Sequence, residues 1–241
     1  MKTKSAGDEI KTDDANWSFS GETVEKFDKH IEKSVPLYNE GHDLICNLSK
    51  FFVKDNSFIY EVGSSTGSLS IKLAKANHVK KNPQFIGFDI EKDMVDKSNK
   101  NAKIESIKNV RFEQSDIVST ELEKSDLIVC YYTIQFIPPA VRQDVVDKLY
   151  NSLNWGGALI LFEKVRAPDA RFQDIINTLY LDYKLKQGYS EENVISKMMS
   201  LKGILEPFST QGNLDMLKRS GFVDITTIQK YLSFEGFLAI K

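Results

Sequence analysis

Residues 58–76, FIYEVGSSTGSLSIKLAKA, pass from an apolar β-rich run through two glycines and a cluster of hydroxyl residues into an amphipathic helical pattern. A strand that empties into a small-residue turn ahead of a helix presents backbone N–H groups to a ligand. The turn alone leaves phosphate, dinucleotide and other ligands open.

Working outward, apolar strand patterns near 57–62, 84–89, 109–114, 125–131 and 157–163 alternate with helical patterns near 67–76, 92–104, 139–153 and 167–186. That alternation predicts a parallel, doubly wound α/β sheet. Asn154, Gly156 and Gly157 stop one helix and launch the β-rich run after it. Further helical patterns near 190–203 and 210–220 precede FVDITTIQKYLSFEGFLAIK, two strand patterns joined by a short turn, which predict a terminal antiparallel hairpin. Upstream, Val24, Phe27 and Ile31 mark one helix ended by Pro36, and Leu44, Ile45, Leu48 and Phe51 mark a second. Residues 1–16 are polar and without hydrophobic period, which predicts a disordered arm ahead of one domain spanning 17–241, with N-terminal helices over 17–54 and a helical insertion over 167–206.

The 241-residue length suits one α/β domain with a substantial core. With 32 basic and 34 acidic side chains the formal charge is −2, so no global field favours nucleic acid or a membrane surface. Two distant cysteines, Cys46 and Cys130, make a disulfide framework or metal knuckle improbable, and the charged N-terminus has no apolar signal core. A cytoplasmic protein without metal or membrane span is expected.

Asp89 ends the second strand pattern about 26 residues beyond Gly63, so both fall at carboxyl ends of neighbouring strands, where a carboxylate accepts the hydroxyls of a ribose. The bland alternative is a tight turn plus a helix cap. Gly67 is followed by Ser68 and Leu69 rather than Lys and Ser/Thr, which argues against a nucleoside triphosphate loop. A nicotinamide dinucleotide turn carries three glycines, whereas here only Gly63 and Gly67 are present, four apart. S-adenosylmethionine, which has no pyrophosphate, fits the spacing better. Asp116 and Ile117 follow the third strand pattern, where adenine takes one polar contact and one apolar wall. Tyr131, Tyr132, Thr133 and Gln135 end the fourth, where an aromatic face can hold a sulfonium or a substrate. Glu163, at the end of the fifth, suits a general base, a supporting carboxylate or a structural ion pair, while His30, His42 and His78 have no partners at metal or catalytic spacing and read as surface or satisfied histidines.

The order WSF, SVPLY, YEVGSSTGSLS, IGFDIEKDMV, EQSDI, YTIQFIPP, LNWGGALILFEK and GYSE resembles the carboxy-S-adenosylmethionine synthases, relatives of the class I S-adenosylmethionine-dependent methyltransferases in wobble-uridine tRNA modification. The resemblance spans about 17–241. It implies a seven-stranded sheet and a homodimer. It also implies that Tyr38 touches the ligand, that Gly63, Ser64 and Ser65 hold its methionine part, that Asp89 and Ile90 lie at ribose and adenine, and that Asp116 and Ile117 flank adenine. Two positions depart from the family: Tyr131 stands where it has Asn, and Met198 where an Arg pairs with the extra carboxylate of the modified sulfonium. Met cannot replace a bidentate guanidinium, and Lys197 beside it is turned by about 100° on a helix.

The expected function is therefore methyl transfer from S-adenosylmethionine, leaving S-adenosylhomocysteine, to an unidentified small molecule or tRNA-pathway acceptor. Tyr131 and Glu163 are the catalytic candidates, and Tyr180, Tyr189, Lys197 and Met198 the substrate-binding ones. Carboxylation of the sulfonium using prephenate, with Lys197 or another cation in place of Arg, is the alternative. A non-catalytic S-adenosylmethionine-binding partner protein is the alternative of another class.

Overall fold

A computed structural model describes residues 4–241. Two short strands, β1 (Lys4–Ser5) and β2 (Lys11–Thr12), are followed by α1 (Glu22–Ser34), α2 (Tyr38–Phe52) and β3 (Phe58–Val62). Next come α3 (Ser68–Ala76), β4 (Gln84–Asp89), α4 (Lys92–Ile104), β5 (Val110–Gln114), β6 (Ser125–Tyr131) and α5 (Pro139–Ser152). The chain ends with β7 (Leu153–Lys164), α6 (Ala170–Lys186), α7 (Glu191–Ser200), α8 (Thr210–Ser220), β8 (Asp224–Tyr231) and β9 (Phe234–Ile240).

The main sheet has seven strands in the order β5-β4-β3-β6-β7-β9-β8. Strands β5 to β7 pair in parallel, and β9 runs antiparallel to both β7 and β8. The expected doubly wound sheet with a terminal hairpin is therefore present. Its central strands read as near-continuous apolar runs because helices cover both faces: Ile128 and Cys130 of β6 pack into one core, Leu127 and Val129 into the other. The strand order reverses between β3 and β6, which opens a crevice beyond their carboxyl ends.

Two expectations are corrected. Residues 4–16 are not a disordered arm. Ala6 and Ile10 are buried with Trp17 against Leu201 and Ile204, and the Ala15 and Trp17 amides donate to the Met199 and Ser200 carbonyls at the end of α7. Met1 to Thr3, the start of that stretch, lie outside the described residues. The fifth parallel strand begins at Leu153 rather than 157, because Asn154–Gly157 form an irregularity within it: Ser125 pairs with Leu153, and Leu127 with Ala158. Gly156 takes φ +76°, and Trp155 is left 85% exposed.

Candidate active site

The crevice deepens into a cavity of ≈ 860 Å³, floored by strand ends and roofed by α1, the start of α2, α6 and α7. At its floor Gly63 has φ +75°, and a Cβ there would lie 2.3 Å from Thr133 Oγ1, whose hydroxyl donates to the Val62 carbonyl. The glycine is thus required by the turn's left-handed backbone and by Thr133 beside it. The Gly63 and Ser64 amides both donate to the Phe88 carbonyl, which ties the turn to β4. Asp89 ends β4, its Oδ2 accepting from the Ser65 amide at 2.8 Å and its Oδ1 from the Glu91 amide at 2.9 Å. One lone pair on each oxygen remains for a ligand hydroxyl. Burial raises its pKa, against the pull of these amides.

Tyr38, Gly63, Ser64, Ser65, Asp89, Ile90, Asp116, Ile117, Tyr131, Tyr180, Lys197 and Met198 all line this cavity. Ile90 is 62% exposed at the rim. Asp116 Oδ1 accepts from the Val118 amide, so it also shapes its own turn. Glu163 and Tyr189 do not line the cavity. The Glu163 side chain is buried, pushed up to about 8 by that burial, with Oε1 unpartnered. The Tyr189 hydroxyl donates instead to Asp8 Oδ2 at 2.9 Å. The Tyr131 hydroxyl donates to the Tyr38 carbonyl at 2.6 Å, and burial holds its pKa far above the ordinary phenol value. Its ring stands 5.1 Å from that of Tyr38, and Gly41 makes room for it, since a Cβ there would meet the hydroxyl at 2.3 Å.

Among the described residues, three cavity-lining polar atoms are buried without partners: Ser64 Oγ, Tyr132 Oη and Trp17 Nε1. Such orphans are rare in packed interiors, and in a cavity wall they are free to meet a ligand. Ser64 Oγ, on the glycine turn, and the free lone pairs of Asp89 suit a nucleoside bearing an amino-acid tail.

The opposite end of the cavity holds three lysines from remote elements: Lys164 at the end of β7, Lys184 on α6 and Lys197 on α7. Among the described residues none of their ammonium groups is ion-paired, and Lys164 Nζ and Lys184 Nζ make no hydrogen bond. The Tyr180 ring lies between them, 4.7 Å from Lys164 Nζ and 5.3 Å from Lys184 Nζ. Burial lowers Lys164 to about 8, and burial followed by the charge of Lys164 lowers Lys184 to about 7. Lys197 is held well below the ordinary lysine value, by burial first and then by Lys184 and Lys164. Sequence reasoning found Lys197 alone of the three. It also passed over Glu61, a cavity carboxyl two residues before Gly63 that burial pushes up to about 8 while the Ser70 hydroxyl donates to it. The signal for Glu61 was its place at the end of a strand otherwise apolar. His30, read as a satisfied histidine, is buried in the cavity wall.

Among the described residues no group of three or more His, Cys, Asp or Glu could hold a metal ion, and no helix is long and apolar enough to cross a membrane.

The sheet order, the glycine turn and the carboxylate ending β4 define a class I S-adenosylmethionine-dependent methyltransferase fold, and a methyltransferase-domain family profile matches residues 53–205. Among solved structures, human N-acetylserotonin methyltransferase in complex with S-adenosylmethionine superposes at TM-score 0.61 and 16% identity, over 90% of this chain and 55% of that one. Magnesium protoporphyrin IX methyltransferase from Synechocystis, with bound S-adenosylhomocysteine, superposes at TM-score 0.59 and 16% identity, over 88% and 86%. Within that class the chain belongs to the family of the carboxy-S-adenosyl-L-methionine synthases. It is 36% identical to the one from Staphylococcus epidermidis over 93% of this chain and 97% of that one, and 35% identical to the one from Nautilia profundicola over 93% and 94%.

Proposed function

We propose that the chain binds S-adenosylmethionine over the ends of β3, β4 and β5 and transfers its methyl group to a carboxylate-bearing small molecule held by Lys164, Lys184 and Lys197. The observation that carries this reading is the convergence of three lysines, Lys184 and Lys197 buried and Lys164 half-buried, on the wall of one cavity, unpaired with any acid among the described residues. Burying unpaired cations is costly, and an anionic ligand offsets that cost. Gly63, Ser64 and Ser65 hold the methionine part, Asp89 the ribose, and Ile90, Asp116 and Ile117 the adenine. Tyr38 and Tyr131 present ring faces that favour a sulfonium.

When bound, S-adenosylmethionine supplies an electrophilic methyl carbon. The chain's part is to exclude water and align the acceptor, which converts a bimolecular encounter into an oriented one. Tyr131 is an orienting group, because its proton is committed to the Tyr38 carbonyl. Glu163 sits outside the cavity wall, where Arg142 and the nearby Ile134 and Gln135 amides only partly offset the burial that raises it. Lys184 Nζ, with Lys164 and Glu61 titrating just above it, can exchange a proton near neutral pH in the wall.

A second reading is carboxylation of the sulfonium, the activity named for the relatives. It is favoured by Lys197, which is buried in the cavity although its neighbour Met198 is 55% exposed at the rim. The protein is incubated with S-adenosylmethionine and prephenate or a panel of other carboxylic acids, and released ligands are weighed by mass spectrometry. S-adenosylhomocysteine with a methylated acid supports methyl transfer; a carboxylated S-adenosylmethionine supports the second reading. Unaltered S-adenosylmethionine throughout sinks both and leaves a binding protein. The family resemblance and two free cysteines further support a homodimer in the cytoplasm, which sedimentation and fractionation test.

A further inference from the structure

The turn between β1 and β2 carries Asp8, whose carboxylate reaches across to α1 and to the segment between α6 and α7. Its Oδ1 accepts from Lys33 Nζ at 2.6 Å, and its Oδ2 lies 3.0 Å from His30 Nδ1 and 2.9 Å from the Tyr189 hydroxyl. The turn is seated there by Gly7, at φ +89°, where a Cβ would meet the Tyr189 ring at 2.3 Å. On its other side His30 Nε2 is hydrogen-bonded to Lys197 Nζ, which also donates to Ser34 Oγ at 2.9 Å and lies 4.9 Å from the Trp17 ring centroid. Asp8, His30 and Lys197 therefore form one line from the N-terminal hairpin to the cavity.

We propose that Asp8 is a positioning residue: by accepting from His30 Nδ1–H it fixes the imidazole with a bare Nε2, and that lone pair, with Ser34, aims Lys197 into the cavity. The hydrogen bond made by one ring nitrogen decides which tautomer the other presents. A carboxylate accepts only, and the Tyr189 hydroxyl 3.1 Å from the same nitrogen gives its proton to Asp8 Oδ2, so the Nδ1 facing both carries the proton. When Lys197 is protonated, Nε2 accepts from an ammonium that has three N–H groups. Two are taken by His30 and Ser34, and the third remains for a ligand. In the opposite tautomer two N–H donors would face each other across that contact. The hairpin is in this way part of the anion site, although no atom of residues 4–16 lines the cavity.

The inference rests on the proposed anion-binding role of Lys197, but its test is made on ligand-free protein, so the two fail separately. Nitrogen-15 NMR of labelled imidazole reads the His30 tautomer, and carbon-detected NMR at Cε follows titration of Lys197 in the presence of Lys164, Lys184 and Lys33. In the wild-type protein His30 is expected to carry its proton on Nδ1. In Asp8→Ala the two tautomers mix, and the proton affinity of Lys197 falls about tenfold, the worth of one hydrogen bond to a charged group. Asp14→Ala breaks only the exposed Lys4–Asp14 pair of the same hairpin and leaves both readouts unchanged. A wild-type proton on Nε2 overturns the proposal even if Asp8→Ala does not fold. So does a Lys197 titration unmoved in Asp8→Ala, or an Asp14→Ala protein that behaves like it.

Discussion

Lys184 is a cation that the fold makes reluctant to be one. Its folded pKa, about 7, lies below the ordinary value of 10.5, so between those pH values the unfolded chain binds the proton more tightly. The ligand-free protein is therefore expected to gain stability from this group as pH rises from about 7 to about 10, by on the order of a few kcal/mol. Denaturant midpoints measured across that window in wild type and Lys184→Met should diverge at pH 7, with the variant the more stable, and converge near pH 10. His30 and His42, both lowered to about 3 by burial, act in a separate window, and their contribution is lost as pH falls below about 6.5. Asp89 belongs to the other end of the cavity. Asp89→Ala removes two amide contacts and the proposed ribose acceptor, so affinity for S-adenosylhomocysteine should fall at least tenfold by calorimetry, as expected for losing ~1.5–3 kcal/mol per charged hydrogen bond. Methyl transfer falls with it.

At the scale of elements, the central parallel strands were legible because they are apolar on both faces and bounded by turn residues, as in FIYEV before Gly63 and DLIVCY at 126–131, whereas the edge strand β5, VRFEQ, buries only Phe112. The hairpin of residues 4–16 was not, since strands of two residues have no period and only Ala6 and Ile10 supply buried apolar surface. The glycine turn and Asp89 could be read because both lie at strand ends about one βα unit apart. Lys164 and Lys184 could not, because three elements bring them together and nothing local marks two lysines among 32 basic residues. Arg142 is a further case. Buried on α5, it donates from Nε to the Ile137 carbonyl at 2.7 Å, from Nη1 to Glu206 at 2.7 Å and from Nη2 to Gln135 at 2.9 Å. Its guanidinium thus ties the loop after β6 to the segment before α8, over the ring of Phe208. Arg142→Met removes three charged hydrogen bonds and leaves the Ile137 and Glu206 carbonyls unpaired, Gln135 keeping the Glu206 amide, and should cost about 3 kcal/mol or more. Thermal melting is expected to show a loss of roughly 6–12 °C for a chain of this size.

On the scale of the whole molecule, the sheet supplies one half of the cavity and the added N-terminal and α6–α7 segments supply the other. The two halves are expected to respond to different parts of the ligand set. In hydrogen exchange, S-adenosylhomocysteine alone should slow the amides of residues 63–67 and 115–118, while α7 and the β1–β2 hairpin should slow only when a bound carboxylic acid engages the lysines. Protection of both regions by S-adenosylhomocysteine alone would mean that the roof closes on the nucleoside rather than on the acid.

The two tryptophans fall on opposite sides of this division. Trp17 is 8% exposed in the cavity wall, its ring 5.7 Å from that of His30, whereas Trp155 stands in solvent on the irregular start of β7. Protonated imidazoles and ammonium groups quench indole emission, and water shifts it to the red. The protein thus carries its own optical gauge: a blue, ligand-sensitive emitter at the site and a red, indifferent one far from it, so that Trp155→Phe leaves a spectrum reporting occupancy at the lysine end alone.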